Sequence, residues 1–380
     1  MGAGGQKTER EVQRAEGFPA TRVPSCKPPF SLADVRRAIP AHCFEKSTVR
    51  SFSYLLADLV ICSALAYAAT WIDHEAVPRP LAWLVLWPLY WFWQGAVATG
   101  VWVIAHECGH GAFSDYTWLN DAVGLVFHSL LLVPYYSWKH SHRRHHQNTG
   151  STEKDEVFVP KVMPPGSRAP ALWKSPLYRA VSILVTQVLG WPLYLVFNVG
   201  GRFYERWANH FDPSSPIFTK KERAEVAVSD AALAVVIAGL VGIAKLYGVG
   251  WLVKMYVVPY FIVNHWLVMI TLLQHTHPNL PHYGGKEWDW LRGAMATVDR
   301  SYGFLDVVFH HIADTHVAHH LFSYMPHYHA QEATEAIQKV LGDYYARDDR
   351  NVFKALWQDY EACCIVRPDK EDQEVYWYTN

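Results

Sequence analysis

The sequence predicts an all-α integral membrane protein with about four transmembrane helices, further helices at the membrane interface, and a cytosolic cap that holds a histidine-rich site. Three observations support this fold class. Hydrophobic residues make up 51% of the 380 residues and charged residues only 18%, below the roughly 25% of an average soluble protein. Several apolar runs approach the ~20 residues that cross a bilayer. Histidines, 21 in all, gather into three short clusters.

The first 50 residues form a polar arm. A short helix is predicted over Ser31–Ile39, with Ser31 as its N-cap. The arm contains nine lysines and arginines, so the positive-inside rule places it in the cytosol. The start, MGAGGQKTER, is too charged for a signal peptide. We expect this arm (1–50), a membrane domain with the histidine clusters (51–345), and a cytosolic tail (346–380).

Six apolar runs follow the arm, and topology limits how many of them can cross the membrane. The clusters after 81–105 and after 119–136 can share one site only if 119–136 does not cross. The same parity allows only two crossings among the later three runs, and polar interruptions make 177–199 the interfacial one. The predicted spans are therefore 52–72, 81–105, 226–246 and 251–273, the last two being joined by a turn near Gly248–Gly250.

The three histidine clusters have the spacing of metal ligands. They read HECGH at 106–110, HRRHH at 142–146 and HVAHH at 316–320. Residues three and four apart lie on one face of a helix, so each cluster presents two or three imidazoles together. Neutral imidazole is a common ligand of transition metals. The candidate ligands are His106, His110, His142, His145, His146, His316, His319 and His320.

Eight imidazoles are too many for one ion, so two ions are the natural number. Catalytic zinc uses about three protein ligands, and the chain lacks the cysteine cluster of an iron–sulfur protein. Two redox-active ions beside an apolar region therefore indicate oxygen activation, with iron the first choice and copper the second. A ligating histidine usually donates its other N–H to an acceptor, for which the candidates are Glu107, Asp155, Glu156 and Asp314. The net charge of −1 gives no field for nucleic acid.

Longer stretches around these clusters resemble a known family. They are HECGHGAFSDY (106–116), SHRRHHQNTGS (141–151), DEVFVPK (155–161), QHTHPNLPHY (274–283), EWDWLRGA (287–294), DTHVAHHLF (314–322) and MPHYHA (325–330). The chain resembles the membrane fatty acyl desaturases, most closely the plant microsomal oleate (delta-12, omega-6) desaturases. The resemblance covers most of residues 45–345.

The resemblance implies a delta-12 desaturase that inserts a cis double bond into an oleoyl or palmitoleoyl chain of a membrane phospholipid. It implies two non-haem iron ions as cofactor, held by the eight histidines above, and His275 in the QHT element is a further candidate ligand. It also implies oxygen as co-substrate, electrons from cytochrome b5 and its reductase, and a multi-pass protein of the endoplasmic reticulum with its catalytic face cytosolic. Homo- or hetero-oligomers with other desaturases stay open.

Some features leave the product and the partner surface open. Gly111 stands where oleate desaturases usually have His and resembles the omega-3 branch, and Tyr324 stands where Thr is usual, beside the third cluster. The alternatives are an omega-3 desaturase or a diverged hydroxylase, epoxygenase or conjugase. A histidine-rich metal transporter is the alternative from another class, but its ionisable residues would lie within the spans.

We expect the spans and 119–136 to form the wall of an acyl tunnel. Basic residues near the second cluster either dock an acidic electron donor or lipid phosphate, or form a solvated face: Lys139, Arg143 and Arg144.

Overall fold

A computed structural model of the protein describes residues 21–164, 166–167 and 170–379; the part of the arm before residue 21 lies outside the described residues. The helices are α1 Leu32–Ala38, α2 Thr48–Ala69, α3 Arg79–Leu81, α4 Trp87–Gly109, α5 Thr117–Leu130, α6 Tyr135–Asn148, α7 Pro176–Phe197, α8 Arg223–Tyr247, α9 Val249–Leu252, α10 Val258–His275, α11 Trp290–Ala294, α12 Leu305–Val308, α13 His316–Leu321, α14 Ala330–Leu341 and α15 Val352–Ala362. The strands are β1 His282–Tyr283, β2 Asp299–Arg300, β3 Arg347–Asp348, β4 Ile365–Pro368 and β5 Val375–Thr379. The predicted helical membrane fold is confirmed, whereas the division at residues 50 and 345 stays a prediction.

Helix α1 shows how local sequence sets an element. Ser31 accepts a hydrogen bond from the backbone N–H of Asp34, whose carboxylate accepts in return from the Ser31 N–H. This reciprocal capping box satisfies N–H groups that have no partner within the helix. The predicted N-cap is therefore confirmed.

Helix α4 is the central helix of the bundle. It continues from α3 through a π-helical turn, Ala82–Leu86, and packs against α2, α5 and α10. Gly95 permits the close approach of α10, because a Cβ at this position would lie 2.4 Å from the side chain of Ile262. At the N-terminal end Trp87 donates to Asp73 in the turn after α2. The first histidine cluster begins at the other end, so α4 joins two opposite layers of the molecule.

Within the residues that the structure describes, four helices are long and apolar enough to cross a membrane: Thr48–Ala69, Pro176–Phe197, Arg223–Tyr247 and Val249–His275, the last being α9 and α10 joined by the π-helical turn Val253–Val257. The number agrees with the prediction, but the set differs. Helix α7 qualifies by length and composition, although the sequence indicated an interfacial segment. Helix α4 is absent from this set, since its four Trp residues and one Tyr, types common at a membrane boundary, lower its apolar character. This set follows from length and composition alone, so it does not overturn the predicted span 81–105 or the interfacial assignment of 177–199.

The contacts of α7 nevertheless place its two ends on the same side of the bundle. Near its start, Arg179 forms a 2.6 Å ion pair with Glu361 of α15. Near its end, Leu195 accepts a hydrogen bond from the N–H of His210, and the His210 ring lies 3.2 Å from Ser141 of α6. Both α15 and α6 belong to the layer that holds the histidine clusters. These contacts support a helix that lies across this layer rather than through the bundle.

Helices α5 and α6 form a bent pair, with 108° between their axes. The bend lies at 131–134, between two helices of 14 residues each. Neither helix alone reaches the ~20 residues of a span. The bend returns the chain to the layer of the first cluster, which supports the prediction that 119–136 does not cross.

The cap is built from residues after α10 and contains two small sheets. Strands β1, β5 and β4 form an antiparallel sheet in which His282 pairs with Tyr376 and Val366 with Tyr378. Strands β2 and β3 pair in parallel. The chain's C-terminal strands thus pack on the segment that directly follows α10, beside the histidine clusters.

Candidate metal centre

The nine predicted ligands converge from four helices. The first cluster lies at the C-terminal end of α4, the second on α6 and the third on α13. His275 is the last residue of α10. The structure brings all nine together in two adjacent groups, although they span more than 200 residues of the chain.

The larger group contains five imidazoles whose ring nitrogens lie within 4.8 Å of one another: His106, His110, His142, His146 and His319. His142 is at its centre. Its Nε2 lies 3.0 Å from Nε2 of His106 and 3.1 Å from Nε2 of His146. One ring nitrogen has either one hydrogen or one lone pair, so it cannot make both contacts as good hydrogen bonds. A cation shared by the lone pairs accounts for both.

The smaller group contains His145, His275 and His320, with His316 alongside. Here His275 is central, since its Nε2 lies 3.2 Å from Nε2 of both His145 and His316. The same argument on hydrogens and lone pairs applies. The ninth candidate ligand, suggested by the resemblance alone, thus occupies the middle of the second group.

Two further observations fit a metal at each group. In the larger group Nε2 of His110 and His319, and in the smaller group Nε2 of His320, are buried without a hydrogen-bond partner. Such orphaned polar atoms are rare in native interiors. Burial also lowers the pKa of His316 to about 3, so this imidazole is neutral at pH 7, as a metal ligand must be.

The second ring nitrogens of the smaller group have defined acceptors. His145 Nδ1 lies 2.6 Å from the Asp155 carboxylate, and His316 Nδ1 donates to the carbonyl of Ile312 at 3.1 Å. These contacts direct Nε2 of both rings into the group. Asp155 is also held in place by the backbone N–H of Gly150 and that of Val157.

The other three predicted acceptors act differently. Glu156 accepts from the Tyr204 hydroxyl at 2.7 Å, and Asp314 pairs with His311. Glu107 accepts from the backbone N–H of His327, and its second oxygen lies 3.4 Å from His106 Nδ1. Of the four candidates, Asp155 has the shortest bond to a cluster histidine.

An apolar cavity of about 330 Å³ reaches both groups from the bundle. This volume lies in the range of small-molecule pockets, ~300–1,000 Å³. Its wall comes from α4, α7 and α10, and includes Trp102, Trp191, Leu267, Thr271 and Val157, while His106, His142, His145, His275 and His316 lie at one end. None of the lining residues comes from 119–136, so the expectation that this segment forms the wall is wrong. The bend turns α5 away from the cavity.

Two predicted specificity positions lie elsewhere. Tyr324 stacks on Phe44 and accepts a hydrogen bond from Arg36. It lines an outer opening on the other side of His110 and His146 rather than the apolar cavity. Gly111 has φ +69°, a left-handed conformation that favours glycine.

The basic residues of the second cluster are largely neutralised by ion pairs. Lys139 pairs with Asp121, and both Arg143 and Arg144 pair with Glu222. The sequence left two alternatives for these residues, a free docking patch and a solvated face. Because all three residues form ion pairs, neither alternative describes them fully. Arg143 keeps about half of its side chain exposed at 52%.

Comparison with known proteins agrees with this geometry. The sequence model of the fatty acid desaturase family matches residues 81–350, and a domain of unknown function, DUF3474, matches residues 4–67. The chain is 56% identical over its whole length to the full Delta(12) fatty acid desaturase FAD2 of Calendula officinalis, and 54% to the full Delta(12)-fatty-acid desaturase of Arabidopsis thaliana. It is also 54% identical, over both whole chains, to the omega-6 fatty acid desaturase, endoplasmic reticulum, of Brassica juncea. The chain therefore belongs to the fatty acid desaturase family.

Proposed function

We propose that this enzyme is a delta-12 (omega-6) acyl-lipid desaturase that converts a monounsaturated acyl chain into a diene. The observation that carries the proposal is the apolar cavity that ends at two groups of histidines. The names of full-length relatives from several plants support the delta-12 position.

We infer that each histidine group holds one iron ion. The larger group supplies five imidazoles and the smaller group four, including His275. Iron bound there would supply the oxidising power of molecular oxygen. The ligand set is all nitrogen, which suits iron but does not exclude copper. Metal content of the purified protein distinguishes the two.

The protein's own residues position the acyl chain and exclude water. The rings of Trp102 and Trp138 stack on His106 and His142, with centroids 5.5 and 4.6 Å apart. Both tryptophans are buried and line the cavity beside these histidines. A chain confined against these rings presents few CH₂ groups to the metal site, and such confinement is how an enzyme selects one position on a uniform chain.

The stoichiometry of the reaction requires an external electron donor. Removal of two hydrogens from adjacent CH₂ groups supplies two electrons, whereas reduction of O₂ to two waters takes four. Two electrons and two protons must come from elsewhere, for which we propose cytochrome b5 and its reductase. We propose that the donor approaches through the outer opening at His110 and His146, which is lined by Arg36, Arg143 and Trp290.

We also propose the endoplasmic reticulum membrane as the site of action, with the histidine groups on the cytosolic face. The name of the Brassica juncea relative includes this compartment. The cytosolic orientation rests on the nine basic residues of the arm and the positive-inside rule.

Expression in yeast, followed by gas chromatography–mass spectrometry of the fatty acids, tests the proposal. We expect new C16 or C18 dienes with the second double bond at the delta-12 position. His145→Ala should abolish them while the protein stays in the membrane, and His74→Ala, an exposed residue distant from the groups, should not. A hydroxy, epoxy, conjugated or omega-3 product would replace the delta-12 assignment. Full activity of His145→Ala would refute its role as a ligand.

A further inference from the structure

Four potential metal ligands meet outside the two histidine groups, where the arm contacts the segment after α13. His42 and Cys43 lie on the 3₁₀ turn Ala41–Phe44, and His329 and Glu332 lie at the start of α14. One ligand atom from each residue lies within 4.8 Å of those of the other three. The desaturation proposed above uses none of them.

The local structure aims these side chains at one point. His329 and Glu332 are three residues apart at the beginning of a helix, so they share a face. His42 Nε2 lies 2.9 Å from the Glu332 carboxylate and 3.8 Å from Cys43 Sγ. The His42 and His329 rings have centroids 5.4 Å apart. Cys43 is fully buried, and the other three residues close the cluster from the solvent side.

The donor set and spacing suit zinc. Tetrahedral zinc takes imidazole nitrogen at ~2.0–2.1 Å, thiolate at ~2.3 Å and carboxylate oxygen at ~2.0–2.2 Å. The edges of such a tetrahedron measure about 3.3–3.6 Å by that geometry. The 3.8 Å contact of His42 with Cys43 is close to this value, and the ligand atoms of all four residues lie within 4.8 Å of one another. One thiolate and one carboxylate also neutralise a divalent cation.

We propose that His42, Cys43, His329 and Glu332 form a structural zinc site, separate from the oxygen-activating centre. All four tetrahedral positions come from the protein, which is the pattern of a closed, structural site rather than a catalytic one. A cysteine ligand also distinguishes the site from the two all-histidine groups, since thiolate selects softer cations.

The site would fasten the arm to the cap. Cys43 packs in the same hydrophobic cluster as Val317, Leu321 and Phe322 of the α13 region, which also holds the third histidine cluster. Zinc bound on the outer side of Cys43 would link Ala41–Phe44 to α14 and so restrict the motion of this packing. We expect zinc to raise the temperature at which the purified protein unfolds.

Metal analysis of the full-length protein in detergent tests the proposal. After incubation with zinc chloride and desalting, the wild type should retain about one zinc per chain beyond the iron. His42→Ala and Glu332→Gln change exposed side chains, so folding should survive, yet both should lose this zinc and keep their iron. Two controls should retain both metals: Glu335→Gln, an exposed carboxylate on the same helix, and His74→Ala.

Cobalt provides a second readout that the histidine groups cannot imitate. Cobalt bound to thiolate gives a charge-transfer band in the near ultraviolet, and no cysteine belongs to either histidine group. The wild type loaded with cobalt chloride should show the band, and Cys43→Ser should not. Zinc retained equally by His42→Ala and the wild type, or no thiolate band in the wild type, would overturn the proposal. Neither result depends on whether the chain desaturates oleate.

Discussion

Replacement of Asp155 by asparagine tests how the smaller histidine group is held. Asp155 accepts from His145 Nδ1 at 2.6 Å with one oxygen and from the Gly150 N–H at 3.1 Å with the other. Asparagine keeps the shape but has only one acceptor oxygen, so its NH₂ group must face either Gly150 or the pair His145 and Val157. The protein then loses at least one buried hydrogen bond, and each costs about 1–3 kcal/mol.

The effect on the metal follows from the same contact. A carboxylate that accepts from a ligating histidine raises the basicity of the ring, and loss of such a partner typically lowers metal affinity ~10–100-fold. Because the cluster histidine that Asp155 contacts is His145, the loss should fall on the smaller group. We expect the iron content of Asp155→Asn to approach half that of the wild type under limiting iron, with a matching loss of diene product.

The matched control is Glu156→Gln. Glu156 is the neighbouring buried carboxylate, but its partner is the Tyr204 hydroxyl rather than a histidine. Elemental analysis of both purified variants, with product analysis in yeast, separates an effect on the metal from a general loss of a buried charge. Unchanged iron and product in Asp155→Asn, or equal loss in both variants, would refute the orienting role.

Three further predictions concern packing. Arg300 is fully buried between two carboxylates, so Arg300→Met should lower the free energy of unfolding by about 3–5 kcal/mol. The control is Arg347→Met, which removes a more exposed arginine and should lower the unfolding temperature far less. Equal unfolding temperatures of the two variants would contradict this prediction. Gly190 lines the cavity, so Gly190→Leu should fill it and reduce the diene product at unchanged iron content. Gly190→Ala should stay active, because its methyl group meets neighbours at ordinary contact distance. Unchanged diene product from Gly190→Leu would mean that the acyl chain binds elsewhere. Asp58→Asn weakens the 2.7 Å contact with His310. The variant should unfold at a lower temperature than the wild type but contain the same amount of iron, which a thermal unfolding curve and metal analysis of the purified protein check.

The histidine positions could be read from sequence because their spacing is local. In a cluster such as HRRHH the histidines share one helix face, and this follows from the local sequence without knowledge of the rest of the fold. The division into groups of five and four could not be read, since it depends on how α6 and α13 rotate against each other. Neighbours in sequence, His145 and His146, in fact belong to different groups.

Contacts between residues far apart in the chain could not be predicted from the sequence. Strand β1 has two residues and pairs with β5 more than 90 residues later, so no periodic pattern marks it. The predicted wall was right for the spans 81–105 and 251–273 and wrong for 119–136. The bend that turns α5 aside lies in four residues, 131–134, and its angle leaves no trace in composition. Asp155, by contrast, was a correct candidate because it follows the second cluster closely.

The anchoring of both ends of α7 has a consequence for turnover. Helix α7 is tied to α15 near its start and, through His210, to α6 near its end, and it forms one wall of the cavity. An acyl chain that leaves past this wall would have to move the side chains of a fixed helix. Product release often limits the rate of evolved enzymes. The enzyme's output should then depend on the fluidity of the surrounding lipid, and cooling would slow release even where the chemistry at the histidines is unchanged.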